Sequence, residues 1–435
     1  MNQSFLTPIQ RFIKAESFSG FLLFATTLLA MLLSNLPSGS TFDAILNYNL
    51  GIKAGSFELI KPMILWINDG LMTIFFFLIG LEIKREIVVG ELNSIKKASL
   101  PIFAAIGGII APLIIFLVLN KNPETENGWG MTIATDIAFT LAVLKLLGNK
   151  VPIGLKIFLT AFAIIDDIGA VLVIALFYTS NVDWYLILYA GIILTFLYTL
   201  SFFKIHNKFI LFFSGIIVWF LFLKSGIHPT IAGILLALSI PVHQRINEFQ
   251  YNNKLKNILN RIVSSQNTSK LPVLTHTQIE ELDNLEELTN KVQSPIQQLE
   301  HRLHYWVAFL IMPVFALANA GINFSSDMNT DNNLVITIVI ALFAGKTIGV
   351  SLFSFLSIKF NMAALPENIR MMDIIGIAVL AGVGFTMSLF IGGLAFAGQA
   401  IYLNSAKIGI ILASVLSGIT GFIIIKQSLK KKRAK

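Results

Sequence analysis

The sequence predicts an all-α polytopic membrane protein with about twelve transmembrane helices, arranged as inverted-topology repeats whose two broken helices cross at mid-membrane. The composition argues against a soluble domain, because 55% of the 435 residues are hydrophobic and only 13% are charged, against about 25% in soluble proteins. Apolar runs of about 20 residues, the length of a helix that crosses about 30 Å of hydrocarbon, recur along the chain. Two of these runs are interrupted near their middle, which predicts broken helices.

The predicted spans follow one another along a single membrane domain, residues 1–435. They cover approximately residues 15–36, 59–84, 99–119, 128–147, 153–177, 184–203, 209–223, 227–240, 303–321, 334–358, 372–396 and 405–426. The first is too long for the apolar region of a signal peptide and has no small-residue cleavage site before Pro37, so we expect it to be retained. Most Lys and Arg residues fall in the even-numbered connections and the two ends, which predicts that both termini are cytoplasmic.

Two connections between spans are predicted to carry structure of their own. About residues 45–58, two short alternating runs around glycines predict an external β-hairpin. About residues 243–300, a polar segment predicts a cytoplasmic insert, which is either a solvated helix or flexible chain.

The charge and the residue types exclude several kinds of site. The net charge of +8 agrees with basic cytoplasmic loops, so no nucleic-acid partner is expected. The absence of cysteine excludes disulfides and thiolate metal sites, and the six histidines show no zinc-binding spacing. No cofactor is predicted.

Four ionisable residues lie near the middle of predicted spans, where a charge costs about 2.5–3.5 kcal/mol or more. They are Asp136, Asp166, Asp167 and Lys346. The lysine stem is too short to reach either membrane surface, so it needs a carboxylate partner. Adjacent helical residues point about 100° apart, so one of the two neighbouring aspartates can face the lysine while the other faces a cavity.

Paired carboxylates with nearby hydroxyl and carbonyl oxygens suit a hard cation such as Na⁺. Two carboxylates held out of water also favour uptake of a proton, because like charges oppose each other's ionisation. A proton and Na⁺ are therefore expected to compete for one site. If that site is exposed alternately to the two sides, competition is sufficient for antiport.

The interruptions fall at equivalent places in two three-helix units. The first unit, about residues 99–177, contains Thr135 and Asp136, and the second, about residues 334–426, contains Gly382 and Gly384. Glycine in a helix costs about 1 kcal/mol relative to alanine. We expect Asp136 to offset the positive helix N-termini at the crossing and Lys346 to offset the negative C-termini.

Several segments resemble, in order, the NhaA-type sodium/proton antiporters of bacterial inner membranes, and the resemblance covers nearly the whole chain. They are FFFLIGLEIKREIVVGEL (75–92), ATDIAFTLAVLKLLG (134–148), AFAIIDDIGAV (161–171), LKSGIHPTIAG (223–233), PVFALANAG (313–321), AGKTIG (344–349) and GVGFTMSLFIGGLAF (382–396).

The resemblance implies a secondary transporter rather than an enzyme, located in the bacterial inner membrane. It extrudes Na⁺, and commonly Li⁺, in electrogenic exchange for H⁺. Asp166 and Asp167 would bind the transported cation or protons, with Asp167 the more direct Na⁺ ligand. Lys346 would pair with Asp166, and Asp136 and Thr135 would lie at the helix crossing. Family members are homodimers held partly by an external β-hairpin.

The resemblance also implies that a cytoplasmic cluster senses pH. Its matches here are Glu82, Lys84, Arg85, Glu86, Glu300, His301 and His304. Without the resemblance, we would interpret these charged residues as a ring at the membrane interface. His228 matches a histidine of the pH response, although Pro229 after it departs from the family pattern, as does the long insert.

Three other functions remain open from the residues. An intramembrane aspartyl protease needs two aspartates on different helices that share a proton, and a lysine beside one of them opposes that chemistry. A sodium-coupled organic-anion carrier needs a wide cavity and a residue that binds the anion. A sensor or scaffold with a transporter fold is separated from a transporter only by a flux assay.

Overall fold

The computed structural model describes residues 8–37, 39–55, 57–179, 182–203, 207–244, 246–264, 274–324 and 330–433. The helices before the insert are α1 (Pro8–Asn35), α2 (Gly39–Leu46), α3 (Met63–Val88), α4 (Ile95–Leu119), α5 (Ile137–Leu146), α6 (Ile153–Phe177), α7 (Trp184–Phe202), α8 (Lys208–Ser225) and α9 (Thr230–Leu238). The later helices are α10 (Glu248–Ser264), α11 (His276–Val292), α12 (Pro295–Asn319), α13 (Asn332–Lys359), α14 (Met371–Leu380), α15 (Phe385–Ala395) and α16 (Ala400–Arg433).

The membrane elements confirm the predicted fold class. Within the described residues, eight helices are long and apolar enough to span a bilayer, namely α1, α3, α4, α6, α7, α12, α13 and α16. Two further spans are bent pairs: the 3₁₀ helix Pro123–Thr132 with α5, at 52°, and α14 with α15, at 44°. The shorter helices α8 and α9 complete the order of spans that the sequence predicts.

The two broken spans lie in the middle of equivalent units. The first follows α4 and precedes α6, and the second follows α13 and precedes α16. The first unit begins at the third span and the second at the tenth. An odd step in the order of spans reverses the direction of the chain, so the two units run in opposite directions through the membrane. Helices α4 and α13 pack closely because Gly107 of one faces Gly349 of the other, where a side chain on either would overlap the opposing backbone.

Half of the first broken span differs from what the sequence predicts. The first half of the fourth span is a 3₁₀ helix that begins at Pro123, rather than an α-helix that begins at residue 128. Asn122 caps it, its side chain accepting a hydrogen bond from the backbone N–H of Glu124 at 3.1 Å. Between this 3₁₀ helix and α5, residues 133–136 are not helical.

The β-hairpin forms, but further along the chain than residues 45–58. Strands β1 (Asn49–Ala54) and β2 (Phe57–Pro62) pair antiparallel, with Asn49 opposite Pro62 and Ala54 opposite Phe57. The residues before Leu46 belong to α2 instead. At the turn, Gly55 has a φ of 60°, which glycine adopts without strain.

The polar insert contains two helices with a small core of their own. Helix α10 packs against α11 through buried Ile258 and Leu288. Thr275 caps α11 in a reciprocal hydrogen-bonding arrangement with Gln278. Within α11, the Lys291 ammonium holds the pKa of the exposed Glu287 carboxyl below its usual range. The residues between the two helices, 265–273, lie outside the described part of the chain.

Candidate functional site

Asp166 and Asp167 lie side by side in the middle of the unbroken helix α6. Both are buried, with 0% and 3% of the residue exposed. Because α6 keeps its helical geometry here, the two carboxylates point in different directions from one backbone. The helix therefore carries two acidic groups that water cannot stabilise.

Lys346 pairs with Asp166 in a fully buried ion pair. Its ammonium donates to both carboxylate oxygens of Asp166, at 2.9 and 2.7 Å, and neither side chain is exposed. It also donates to the backbone carbonyl of Ile133, at the end of the 3₁₀ helix. The centroid of the Phe162 ring lies 5.8 Å from the Lys346 ammonium, so this ring covers another side of the ammonium. Lys346 thus offsets both the Asp166 charge and one helix C-terminus.

A π-helical turn, Ala341–Gly345, directly precedes Lys346 within α13. A π turn adds one residue to a helical turn and rotates the following side chains relative to a regular helix. This turn sets the direction in which the lysine leaves α13. Periodicity in the sequence gives no sign of it, because the apolar residues around it fit a regular helix equally well.

Asp136 joins the N-termini of the two half-helices α5 and α15. One carboxylate oxygen accepts from the backbone N–H of Phe139 at 3.0 Å. The other accepts from the backbone N–H and the hydroxyl of Thr386, at 3.1 and 2.6 Å. A single negative charge therefore caps two positive helix ends that meet at mid-membrane.

The backbones of the two breaks also bond to each other directly. The N–H of Asp136 donates to the carbonyl of Val383 at 2.7 Å. The hydroxyl of Thr135 donates to the carbonyl of Ala381, just after α14, at 3.0 Å. These bonds satisfy groups that the missing helical turns leave without partners. Thr135 also lies against the Asp166 carboxylate, so the crossing and the ion pair are one structure.

Asp167 is the member of this group whose charge is not paired. Among the described residues its Oδ1 atom is buried without a hydrogen-bond partner. Asp166 and Asp136 are near enough to repel its negative charge, while Lys346 attracts it. A buried acceptor without a donor is costly. It is stabilised by a proton on the carboxyl or by a cation beside it.

Gly382 and Gly384 lie in the second break, where the two broken spans touch. A side chain at Gly382 would approach the carbonyl of Leu342 at 2.7 Å, and one at Gly384 would approach the carbonyl of Ala134 at 3.0 Å. Small residues are therefore needed here for close approach of backbones rather than only for a weak helix.

Four of the acidic and basic residues matched to a pH-sensing cluster meet where α3 approaches α12. Arg85 pairs with Glu86 at 2.8 Å and with Glu300 at 2.7 Å, and its charge also lies near Glu82. Lys84 points elsewhere and donates to the carbonyl of Leu238 at 2.6 Å, at the end of α9. The structure thus brings together one arginine and three carboxylates.

The three histidines occupy different surroundings. His304 is buried on α12 with its ring 6.0 Å from that of Tyr305, whereas His301 is exposed. His228 lies between α8 and α9, near the opposite end of α3. Its Nε2 is 3.7 Å from Asp69, and its Nδ1 is 2.8 Å from the Thr230 hydroxyl. It does not join the arginine–carboxylate cluster.

Sequence reasoning missed three groups that complete these arrangements: the Thr386 hydroxyl, the Ile133 carbonyl and Asp69. Thr386, two residues after Gly384 in GVGFTMS, carries no capping signal in the sequence, because it is the second residue of α15 and not its N-cap. Asp69 pairs with Lys61 at 2.8 Å as well as approaching His228. It lies well inside the predicted span 59–84, so an acidic residue at that depth was a signal that the sequence offered.

The polar groups at the crossing and on α6 are oxygen ligands, which suit a hard cation. Within the described ranges, no three or more His, Cys, Asp or Glu side chains gather so as to hold a metal ion. The two aspartates on α6, together with hydroxyl and carbonyl oxygens at the crossing, supply only oxygen ligands.

Comparisons with known proteins agree with this geometry. A family model described as Na⁺/H⁺ antiporter 1 matches residues 10–425. A protein of Parabacteroides distasonis named Na(+)/H(+) antiporter NhaA is 39% identical over 441 residues, which cover 98% of this chain and 97% of the relative. Proteins of the same name are 42% identical in Phocaeicola vulgatus (95% and 94% covered) and in Sulfurimonas denitrificans (96% and 94%).

One solved structure is also similar across 95% of this chain and 96% of its own. It is the sodium proton antiporter MjNhaP1 from Methanocaldococcus jannaschii, with 13% sequence identity and a TM-score of 0.42. That similarity is too remote for any conclusion about this chain.

Proposed function

Because the chain belongs to the Na⁺/H⁺ antiporter 1 family of multi-pass membrane proteins, we propose that it exchanges Na⁺ for H⁺ across the membrane. The observation that carries this proposal is the buried, unpartnered Oδ1 of Asp167 beside the Asp166–Lys346 pair. This oxygen needs positive charge, and either a proton or Na⁺ supplies it. Occupancy by one then excludes the other.

The two aspartates have separate tasks in this proposal. Asp167 exchanges its proton for Na⁺ and is the more direct ligand. Asp166, paired with Lys346, adds negative charge that holds the cation. If both carboxylates take up a proton once Na⁺ has left, two protons are exchanged for one Na⁺, and each cycle moves one net charge. Li⁺, also a hard cation, is a second substrate.

Alternating access follows from the two breaks. The half-helices α5 and α15 are attached to the other halves by short segments outside the α-helices, residues 133–136 and 381–384, so they are able to tilt without unwinding a complete helix. Asp136 keeps their N-termini together during such a movement. The cation site then opens toward one side or the other.

We assign pH regulation to the cluster of Glu82, Arg85, Glu86 and Glu300, with Lys84, His301 and His304 beside it. Protonation of a carboxylate in this cluster weakens its attraction for Arg85 and changes how α3 packs against α12. We give His228 no primary role in this switch, since it lies at the other end of α3.

The proposal also covers the membrane location, the orientation and the assembly of the protein. It functions in the bacterial inner membrane with both termini in the cytoplasm, because most basic residues fall on that side of the predicted topology. It forms a homodimer through the hairpin β1–β2, on which Ile52 is 67% exposed. An exposed apolar strand of this kind readily pairs with a second copy.

The test is the coupling between Na⁺ binding and proton release in the purified protein. Calorimetry in two buffers of different ionisation enthalpy gives the number of protons released for each Na⁺ bound. If one proton leaves, the apparent Na⁺ dissociation constant rises about tenfold for each pH unit toward acid, and two protons give about a hundredfold. Na⁺ uptake without proton release at any pH contradicts the proposal.

A further inference from the structure

A groove opens on the membrane-facing side of the protein between α1, α5 and α16. Its volume is about 380 Å³, which is within the range of about 300–1,000 Å³ found for sites that enclose a small molecule. It runs inward from the surface to Phe385, the first residue of α15. It is separate from the cation site, since none of the mid-membrane charges line it.

The walls of this groove are almost wholly apolar. At its inner end, the rings of Phe139 and Phe385 lie 5.6 Å apart, and Phe24 of α1 packs edge-on against Phe139 at 6.3 Å. Its two hydroxyl residues are Thr27, which donates to the carbonyl of Leu23, and Ser414. Such a surface repels water and suits a hydrocarbon chain.

The groove is continuous with the surface that faces the bilayer. Leu146 and Ile419 at its rim are 60% and 57% exposed, and both belong to elements that span the membrane. Lipid chains therefore lie at its mouth.

One end of the groove carries positive charge. Lys145 is exposed and directly precedes the groove residue Leu146. The ammonium of exposed Lys426 lies 5.4 Å from the ring of Phe422, which also lines the groove. Both lysines lie near the C-terminal ends of even-numbered spans, and therefore on the same side of the membrane. They provide the charge that a phosphate headgroup needs.

We propose that this groove binds one phospholipid with an anionic headgroup, with an acyl chain inside and the phosphate near Lys145 and Lys426. A free phosphate ion has no use for the apolar walls, and a zwitterionic lipid gains less from the two lysines. The end of the acyl chain contacts Phe139, whose backbone N–H is bonded to Asp136. The bound lipid thus supports one of the two half-helices that Asp136 joins.

The experiment is photolabelling of the purified protein in nanodiscs with lipids that carry a diazirine near the end of the acyl chain. Phosphatidylglycerol and phosphatidylcholine with the same chains are compared, and labelled peptides are mapped by mass spectrometry. We expect phosphatidylglycerol to label Phe139 and Phe385 in preference to the exposed surface of α7. No labelling of these two phenylalanines overturns the proposal.

Variants that fill the groove test whether labelling depends on it. A Cβ at Gly418 meets only Val143, at 3.9 Å, and Gly418 lines the groove, so the side chain of Gly418→Leu occupies groove space. Gly191→Leu, at a position of α7 with no atom within 4 Å, is the matched control. We expect Gly418→Leu to reduce the labelling of Phe139 and Phe385 to the level of the α7 surface, and Gly191→Leu to leave it unchanged. Val143→Phe fills the groove from α5 if Gly418→Leu does not fold.

The headgroup is tested separately. Lys145→Ala with Lys426→Ala should abolish the preference for phosphatidylglycerol over phosphatidylcholine and leave the labelled residues the same. Labelling that persists in both groove-filling variants, or a headgroup preference that survives loss of both lysines, contradicts the proposed lipid.

Discussion

At the scale of single residues, the site is a balance of buried charges. Asp136 receives three hydrogen bonds, and Asp166 receives two from Lys346, but the Oδ1 of Asp167 receives none within the described structure. In a medium that cannot solvate ions, a carboxylate in this state is expensive to keep ionised and alone. We therefore expect transport to depend on the Asp167 carboxylate, which binds either a proton or a cation.

Asp167→Asn should abolish Na⁺-dependent proton movement while the protein still inserts and folds. The amide cannot lose a proton and has no negative charge to attract Na⁺. Everted vesicles loaded with a pH-sensitive dye report proton movement after Na⁺, Li⁺ or K⁺ is added. Glu367→Gln, on an exposed loop, is the control and should behave as the unchanged protein. Normal exchange by Asp167→Asn would show that the cation site lies elsewhere.

Lys346→Ala should destabilise the protein, because it leaves Asp166 buried without its partner. Breaking a buried pair in this way costs about 3–5 kcal/mol. Thermal unfolding in detergent should therefore move down by several degrees. The double variant Asp166→Asn with Lys346→Ala should recover part of this loss, since no unpaired charge remains.

Lys359→Ala is the control for the lysine variant, because Lys359 lies on the same helix but is exposed. Its effect on stability should be small. Unchanged stability of Lys346→Ala would contradict a structural role for the ion pair.

At the scale of elements, the broken spans turn helix ends into part of the site. In a regular helix the backbone N–H and C=O groups bond to each other, whereas each break leaves donors and acceptors without helical partners at mid-membrane. Here those groups find partners across the crossing, from Asp136 to Val383 and from Thr135 to Ala381. Each unit therefore supplies hydrogen-bond partners for the backbone groups that the break in the other unit leaves open.

Gly384→Ala should slow exchange and lower stability. The added methyl group would overlap the Ser388 hydroxyl and approach the carbonyl of Ala134 at 3.0 Å. Ser388 donates to the carbonyl of Met131 at 2.6 Å, so this bond between the two broken spans would be lost or distorted. Exchange rates in vesicles and thermal unfolding measure the two effects.

Gly393→Ala, in the same helix α15, is the matched control. No atom lies within 4 Å of a side chain there, and alanine favours the helix by about 1 kcal/mol over glycine. It should be neutral or stabilising. Equal effects of the two alanine variants would mean that the close contact at Gly384 does not matter.

At the scale of the whole molecule, the hairpin and the insert lie apart from the core units. The hairpin presents Ile52, which is 67% exposed, and the insert has its own small core around Ile258 and Leu288. Neither contributes a side chain to the mid-membrane charges. We therefore expect changes there to alter assembly or regulation more than ion exchange itself.

Ile52→Asp should weaken the dimer while leaving exchange by each protomer largely intact. Burial of an isoleucine contributes about 1.5–3 kcal/mol, so the dimer dissociation constant should rise by at least about tenfold. Native mass spectrometry over a dilution series measures it. Ile95→Asp, at an 88% exposed position at the start of α4, is the control and should dissociate like the unchanged protein. A dimer unaffected by Ile52→Asp would exclude the hairpin from the interface.

The sequence by itself determined the membrane class, the order of spans and the charged residues that lie at mid-membrane. These follow from local properties: the length of apolar runs, and the cost of a charge in hydrocarbon, which do not depend on distant contacts. It also indicated where two helices break, through small and polar residues in ATDIAFT and LAGVGFTM.

Only the tertiary structure decided which groups meet. From helix geometry alone either aspartate could face Lys346, and only the resemblance to the antiporters implied Asp166; nothing in the sequence indicated that Thr386 binds Asp136. Those pairs are 180 and 250 residues apart, respectively. Their contact depends on how the two inverted units cross and on the π turn before Lys346, features that arise from packing rather than from any local pattern.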